Sequence, residues 1–234
     1  MDSSEVPKPA TRNAQAVRAM FDRIAGRYDF ANHLLSGGWD FWWRYRAVRL
    51  VRQWRPGYVL DLATGSGDLA LAIVNKIPQA QVTAIDLSSE MLAVAKRKGL
   101  TSVRVADAQE LPFGDQSFDI VTVAFGLRNM TDWSRALRES ARILRASGHL
   151  LILDFSMPRG FLRHIYRFYL HRCLPRLAGI VTGEQTAYEY LGGSIENFPS
   201  GRAMIDLLES NGFRAATATR LTGGIVTLYS ATKA

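Results

Sequence analysis

Between Tyr58 and Ser156 the chain alternates short apolar runs with amphipathic segments, and no other feature restricts the fold as much. "YVLDLA" (Tyr58–Ala63), "QVTAIDL" (Gln81–Leu87), "SVRVAD", "FDIVTVAF" (Phe118–Phe125) and "GHLLILDFS" (Gly148–Ser156) read as strands, and Asp68–Lys76, Ser89–Lys98 and Trp133–Leu144 as helices. Strands this uniformly apolar need cover on both faces, which parallel strands with crossover helices provide. Further on, Arg159–Glu209 reads as a long helical region. "FRAATATRLT" and "GGIVTLYSAT", separated by glycines at 223–224, then read as a terminal antiparallel hairpin. The expected fold class is α/β: a doubly wound, mostly parallel sheet of seven strands with a C-terminal antiparallel hairpin, in a single domain.

Composition narrows the function classes. A chain of 234 residues, 47% hydrophobic, can bury one substantial core. The net charge of +8 leaves nucleic acid, membrane phosphates and acidic substrates all open as partners. The single cysteine, Cys173, excludes an intrachain disulfide and a cysteine-based zinc cluster, and the histidines (His33, His149, His164, His171) are too scattered to suggest a metal site. The opening "MDSSEVPKPATRN" lacks an apolar signal core, and no uninterrupted apolar stretch reaches membrane-spanning length. A soluble, cytoplasmic protein is expected.

The first candidate site follows the first strand. "VLDLATGSGDLA" sets Asp61 inside the strand and Gly65 and Gly67 in the turn after it, and "GSGDLA" satisfies G-x-G-x-x-[G/A] with Ala70 in third place. Such glycines allow a tight turn and a close approach of backbone to ligand. Asp86 ends the second strand about 20 residues on, where a carboxylate reaches ribose hydroxyls. Adenosine binding follows. A pyrophosphate would be repelled by Asp61, Asp86 and Asp107 around the turn, whereas a ligand carrying a sulfonium and an ammonium would be tolerated or favoured there.

Four features together, D-x-x-x-G-x-G from Asp61 to Gly67, acids ending the second and third strands, and "LPFGDQSFD" (Leu111–Asp119), resemble the class I S-adenosylmethionine-dependent methyltransferases, whose fold is Rossmann-like. The resemblance implies S-adenosylmethionine as cofactor. Asp61, Gly65, Ser66 and Gly67 would lie near its methionine moiety and Asp86 on the ribose. Leu87 and Met91 would flank the adenine, with Asp107 and Ala108 at its edge. Ala124 and Phe125, ending the fourth strand, would complete the cofactor site, with Arg44 and Tyr28 from the N-terminal segment.

Upstream "AGRYDFANHLLSGGWDFWWR" and downstream "FGLRNMTDWSRALRESARILRASGHLLILDFSMP" are similar to the demethylmenaquinone and demethoxyubiquinone C-methyltransferases of quinone biosynthesis. The family's Y-D-x-x-N, S-x-G and aromatic–basic positions are Tyr28, Asp29, Asn32, Ser36, Gly38, Trp43 and Arg44, and "FGLRN" (Phe125–Asn129) matches its most characteristic motif without change. The chain departs at Asp40–Phe41, where a His-Arg pair is usual, and at Thr64, where glycine or cysteine is common. The implied layout is an N-terminal helical lid (13–54), a cofactor-binding core (55–156), a helical insertion on the acceptor side (157–210) and the hairpin (211–234). The implied acceptor is a reduced prenylated quinone.

That chemistry assigns further roles. Ligands of open α/β sheets sit outside the carboxyl ends of the strands, which puts Arg128 and Asn129 where an acceptor meets the methyl group. Ionising a ring hydroxyl of pKa near 10 costs about 4 kcal/mol at pH 7. A guanidinium about 4 Å away at an effective dielectric near 20 returns a comparable amount. Arg128 is therefore the candidate phenolate stabiliser and Asn129 the group that orients an oxygen. Asp154 either accepts the proton or hydrogen-bonds loop amides, and Tyr188 and Tyr190 either line the acceptor pocket or pack; the sequence leaves both pairs open. Arg159, Arg163, Arg167 and His171 form one basic helical stripe, either a solvated surface or a docking stripe for an anionic membrane from which a lipid acceptor is collected. A methyltransferase of another lipid-like acceptor, an RNA methyltransferase and a non-catalytic binder stay as rivals, although no RNA-binding module accompanies the basic charge. The sequence does not fix the oligomeric state.

Overall fold

The computed structural model describes residues 18–19, 22–23, 33, 35–176, 179 and 185–234. Among them are seven strands, β1 (Tyr58–Leu62), β2 (Gln81–Asp86), β3 (Val103–Val105), β4 (Phe118–Ala124), β5 (Leu144–Phe155), β6 (Phe213–Leu221) and β7 (Val226–Lys233). They form one sheet in the order β3-β2-β1-β4-β5-β7-β6. The first five positions are parallel; β7 runs antiparallel to both β5 and β6. This is the expected mostly parallel sheet with its hairpin, and the order adds what the sequence did not say. The chain's last strand slots against β5, leaving β6 at the edge.

The helices of the described residues are α1 (Trp39–Gln53), α2 (Asp68–Lys76), α3 (Ser89–Arg97), α4 (Trp133–Ile143), α5 (Phe161–Phe168), α6 (Gln185–Asn197) and α7 (Arg202–Glu209). Side-chain alternation divides the strands between two cores. Leu60, Leu62, Val121, Val123 and Ile152 face one side, with Leu137 of α4 and Met204 and Leu208 of α7. Val59, Val82, Ile120, Leu151 and Leu153 face the other, with Val48 and Val51 of α1 and Leu69 and Ile73 of α2.

Two local expectations change. β5 begins at Leu144 rather than Gly148, because the turn-like Ser147–Gly148 pair is absorbed as an irregularity inside the strand. Ser147 has φ 59, and the register against β4 shifts between Phe118 and Ile120. The region expected as one long helix is broken between α6 and α7 at "FPSG", and α5 runs on through a π-type turn, Tyr169–Cys173.

α5 is also turned differently from the ordinary surface helix weighed in the sequence. Its attachment runs through Tyr166 and Leu170, which pack with Leu174 and Ile195, while Phe161, Leu162, Ile165 and Phe168 are at least half exposed. Two members of the basic stripe are engaged by α6: Arg167 Nε and His171 Nε2 reach Glu196 Oε1 at 3.0 and 3.2 Å, while Arg159 and Arg163 are exposed. No helix of the described residues is long and apolar enough to cross a membrane.

Candidate active site

The sheet reverses its strand order between β1 and β4, and a cavity of about 750 Å³ opens at their carboxyl ends. That is the place where open α/β sheets bind ligands. Its floor is formed by Asp61, Ala63–Gly65 and Ala124–Gly126, one flank by Asp86–Ser88, Met91 and Asp107–Ala108, and the other by Trp39, Trp43, Leu162, Ile165 and Tyr166.

The carboxylates at one end are held individually. Register places Thr122 of β4 beside Asp61 of β1, and its hydroxyl donates to Oδ1 at 2.6 Å while Thr64 donates to Oδ2 at 2.6 Å. Burial pushes the Asp61 carboxyl up to about 6 despite these donors. Asp86 accepts from the backbone N–H groups of Gly65 (2.8 Å) and Ser88 (2.9 Å), tying the glycine turn to the end of β2, and burial raises its pKa too. Asp107 accepts from the Gln109 N–H at 2.8 Å. Leu87, Met91 and Ala108 supply an apolar stretch between the acids, and Ser66 lines the turn.

These residues fit S-adenosylmethionine. A cationic centre would relieve the buried, proton-hungry Asp61 carboxyl, Asp86 and Asp107 offer acceptors to hydroxyl and amino groups, and the Leu87–Met91 side suits an adenine face.

Gly67, in the same turn, has a packing role that the sequence did not assign to it. A Cβ there would lie 2.9 Å from the Ala95 Cβ, so this glycine lets α2 and α3 pack closely, at a φ of 84. Tyr28 lies outside the described residues, and so do the structure of Asn32 and the side chain of Tyr188.

Arg44 lines the cavity with its charge already engaged. It pairs with Asp40 one helical turn back and with Asp68 Oδ2 at 3.0 Å, while Lys98 also pairs with Asp68. The buried Asp40 additionally accepts from the Ser36 hydroxyl at 2.8 Å and lies 2.6 Å from His33 Nδ1. Although burial opposes it, these partners hold the Asp40 carboxyl below its ordinary range. The departure from the family's usual pair at Asp40 thus forms an ionic hub joining the N-terminal segment to α2. Sequence reasoning missed this hub. An acid spaced four residues before Arg44 was its available signal.

At the other end, "FGLRN" leaves β4 as a tight turn. Phe125 adopts φ 57, and a Cβ on Gly126 would meet the Ala63 Cβ at 2.6 Å, so this glycine lets the ends of β1 and β4 touch. The 3-10 turn Leu127–Asn129 then brings Arg128 and Asn129 to the cavity. The Arg128 side chain is 5% exposed; Nη1 donates to Asp154 Oδ1 at 2.7 Å and to the Phe125 carbonyl, and the guanidinium lies 5.2 Å from the centre of the Phe155 ring. Its Nε has no hydrogen-bond partner among the described residues. Asn129 donates weakly to the Phe125 carbonyl and accepts from the Tyr190 hydroxyl, each at 3.4 Å, and Tyr190 lines the cavity.

Asp154, first candidate for proton acceptor, lies elsewhere. It is wholly buried beneath Arg128, accepts the Phe155 N–H at 2.9 Å and does not line the cavity. The alternative weighed beside it, bonding to loop amides, describes it better, with the Arg128 ion pair added. Asp132 caps α4 through the Arg135 N–H at 2.8 Å, and Thr131 donates to Gln109 Oε1 at 2.7 Å, which also accepts the Asp132 N–H and so joins the third-strand acid loop to the turn.

The model of the ubiE/COQ5 methyltransferase family matches residues 10–233. The chain belongs to that family. It is 42% identical over 225 residues to a ubiquinone/menaquinone biosynthesis C-methyltransferase UbiE of Syntrophotalea carbinolica, covering 94% of each chain. It is 46% identical over 201 residues to a demethylmenaquinone methyltransferase of Thermus thermophilus, covering 83% of this chain and 91% of the relative. Among solved structures, a SAM-dependent methyltransferase of Thermotoga maritima superposes with TM-score 0.67 at 20% identity, over 93% of this chain and all (100%) of the other. Human N-acetylserotonin methyltransferase, solved with SAM, gives 0.65 at 19% identity over 94% and 60%. These likenesses support the Rossmann-like fold. The family match makes the chain a methyltransferase that uses S-adenosylmethionine.

Proposed function

We propose that this protein methylates a ring carbon of a reduced prenylated quinone precursor, as the names of its family relatives suggest, with the Arg128–Asn129 turn at the acceptor end of the cavity. When bound, S-adenosylmethionine supplies an electrophilic methyl group. The carboxylate end of the cavity orients that cofactor, and the apolar wall of Leu162, Ile165 and Tyr166 takes the acceptor ring and the start of its chain. Catalysis then rests largely on alignment of the ring carbon.

The observation that carries this reading is the Arg128–Asp154 pair, and it revises the energetics. Asp154 neutralises much of the guanidinium charge, so Arg128 acts on the acceptor oxygen by directed hydrogen bonding from the edge not spent on Asp154 and Phe125. Asn129 positions the same oxygen. Asp154 is then a positioning residue. The N-terminal segment with α1 serves as the lid, and the 157–210 insertion forms the acceptor side. Because a prenylated acceptor resides in the bilayer, the protein visits an anionic membrane transiently. Respiratory quinones extracted from cells lacking the protein test the reading: accumulation of the demethylated quinone supports it, and an unchanged quinone profile contradicts it.

A further inference from the structure

The apolar face that α5 turns outward has no counterpart in the cofactor chemistry. With about 100° per residue, Phe161, Ile165 and Phe168 lie within roughly 60° of one another on the helix, and Leu162 flanks them. Phe161 is 79% exposed and Phe168 64%. Leu162 and Ile165 belong to this exposed face and to the cavity lining at once, and Trp39 at the start of α1 is likewise half exposed and part of the lining. The rim of the cavity is therefore continuous with an exposed apolar surface. Trp39 also makes an edge-on pair with Trp42, whose ring carries the Arg46 guanidinium at 5.3 Å. Amphipathic aromatics of this kind favour the headgroup level of a bilayer.

The segment around α5 is of one sign as well: from Met157 to Arg176 there are five arginines, two histidines and no acidic residue, with Arg159 and Arg172 exposed beyond either end of α5 and Arg163 exposed on the helix side away from the apolar face. A second copy of the chain, itself basic at +8, is a poor electrostatic match for such a face, whereas anionic phosphates are a good one.

Resting on the quinone reading above, we propose that α5 inserts Phe161, Leu162, Ile165 and Phe168 into the acyl boundary of an anionic phospholipid bilayer. The cavity mouth between α5 and Trp39 then opens directly into the lipid, and the acceptor enters head first without crossing water. The apolar face anchors the protein, with the basic side chains as auxiliary attraction. The Arg167–His171 side, engaged with Glu196, contributes least.

The test uses the full chain with phosphatidylcholine/phosphatidylglycerol vesicles and compares the parent with Phe161→Ser/Phe168→Ser, two residues that do not line the cavity. The double variant should lower the vesicle partition coefficient about tenfold or more, as expected for removing two aromatic insertions. It should slow methylation of a long-chain quinol embedded in the vesicles. S-adenosylmethionine affinity and turnover of a water-soluble, short-chain quinol without vesicles should stay unchanged. Equal sedimentation of variant and parent would overturn the proposal, as would a parent that binds no vesicles and forms a dimer abolished by the two substitutions. If neither quinol is methylated, the quinone reading fails while sedimentation still decides the docking.

Discussion

The Arg128 guanidinium and the Asp154 carboxylate face each other at 2.7 Å across the adjacent ends of β4 and β5, both shielded from bulk water. Removing one member of such a pair strands the other charge, at a cost of about 3–5 kcal/mol. Asp154→Ala should therefore lower the melting temperature by about 10 °C, given about 2–4 °C per kcal/mol for a chain of this size. Asp154→Asn keeps the shape, and should fold with near-normal cofactor affinity but turn over at least about tenfold more slowly. Scanning calorimetry and steady-state kinetics check both, and a normal kcat in Asp154→Asn would remove Asp154 from the account of Arg128.

Asp61 gives a dependence on pH. Burial raises its carboxyl from 3.8 to about 6 in the folded chain. Between those values the folded state keeps a proton that the unfolded state has released, so this group's contribution to stability falls as pH rises from about 4 to 6 and is flat above. A cationic ligand favours the ionised carboxylate. S-adenosylmethionine should accordingly bind more weakly as pH falls below 6, and Asp61→Asn should flatten both profiles. Calorimetric titration across this range checks the sign, and tighter binding at low pH would contradict it.

Asp86 holds the turn, since both of its oxygens accept backbone N–H groups, and it is the proposed ribose ligand. Asp86→Ala should weaken S-adenosylhomocysteine binding by about tenfold or more, the scale of one or two charge-assisted hydrogen bonds. Asp86→Asn should fall between, because a carboxamide has one acceptor oxygen rather than two. Unchanged affinity in Asp86→Ala would move the ribose site elsewhere.

The contact between Gly126 and Ala63 makes a reversible prediction. Gly126→Ala should destabilise by about 1–3 kcal/mol through overpacking. Adding Ala63→Gly removes the opposing Cβ and relaxes a residue at φ 48, so the double variant should recover most of the loss. Thermal unfolding of the single and double variants decides it, and strictly additive losses would show that the two sites do not touch.

How much of this was legible in the sequence depended on range. β1, β2, β4 and β5 could be read because strands buried on both faces are apolar throughout, and Asp61 and Asp86 stood out as acids in such runs. Arg128 and Asn129 were legible as polar residues closing an apolar strand. Their partners were not. Asp154 meets Arg128 only because β4 and β5 pair side by side, a fact of register rather than spacing. The packing of Gly67 against Ala95 was not legible either, since a pattern of glycines does not tell which surfaces approach the missing Cβ. α5 looked like an ordinary amphipathic helix because periodicity reveals an apolar face without saying whether core or solvent lies against it.

Transfer of a methyl group to a ring carbon is read out by incubating the purified protein with isotopically methyl-labelled S-adenosylmethionine and a demethylated quinol under reducing conditions, then locating the label by NMR. Each product should carry one labelled methyl bonded to a ring carbon, and Arg128→Ala should form it at least about tenfold more slowly at unchanged cofactor affinity. Label on oxygen, or no transfer by a protein that demonstrably binds the cofactor, would contradict it.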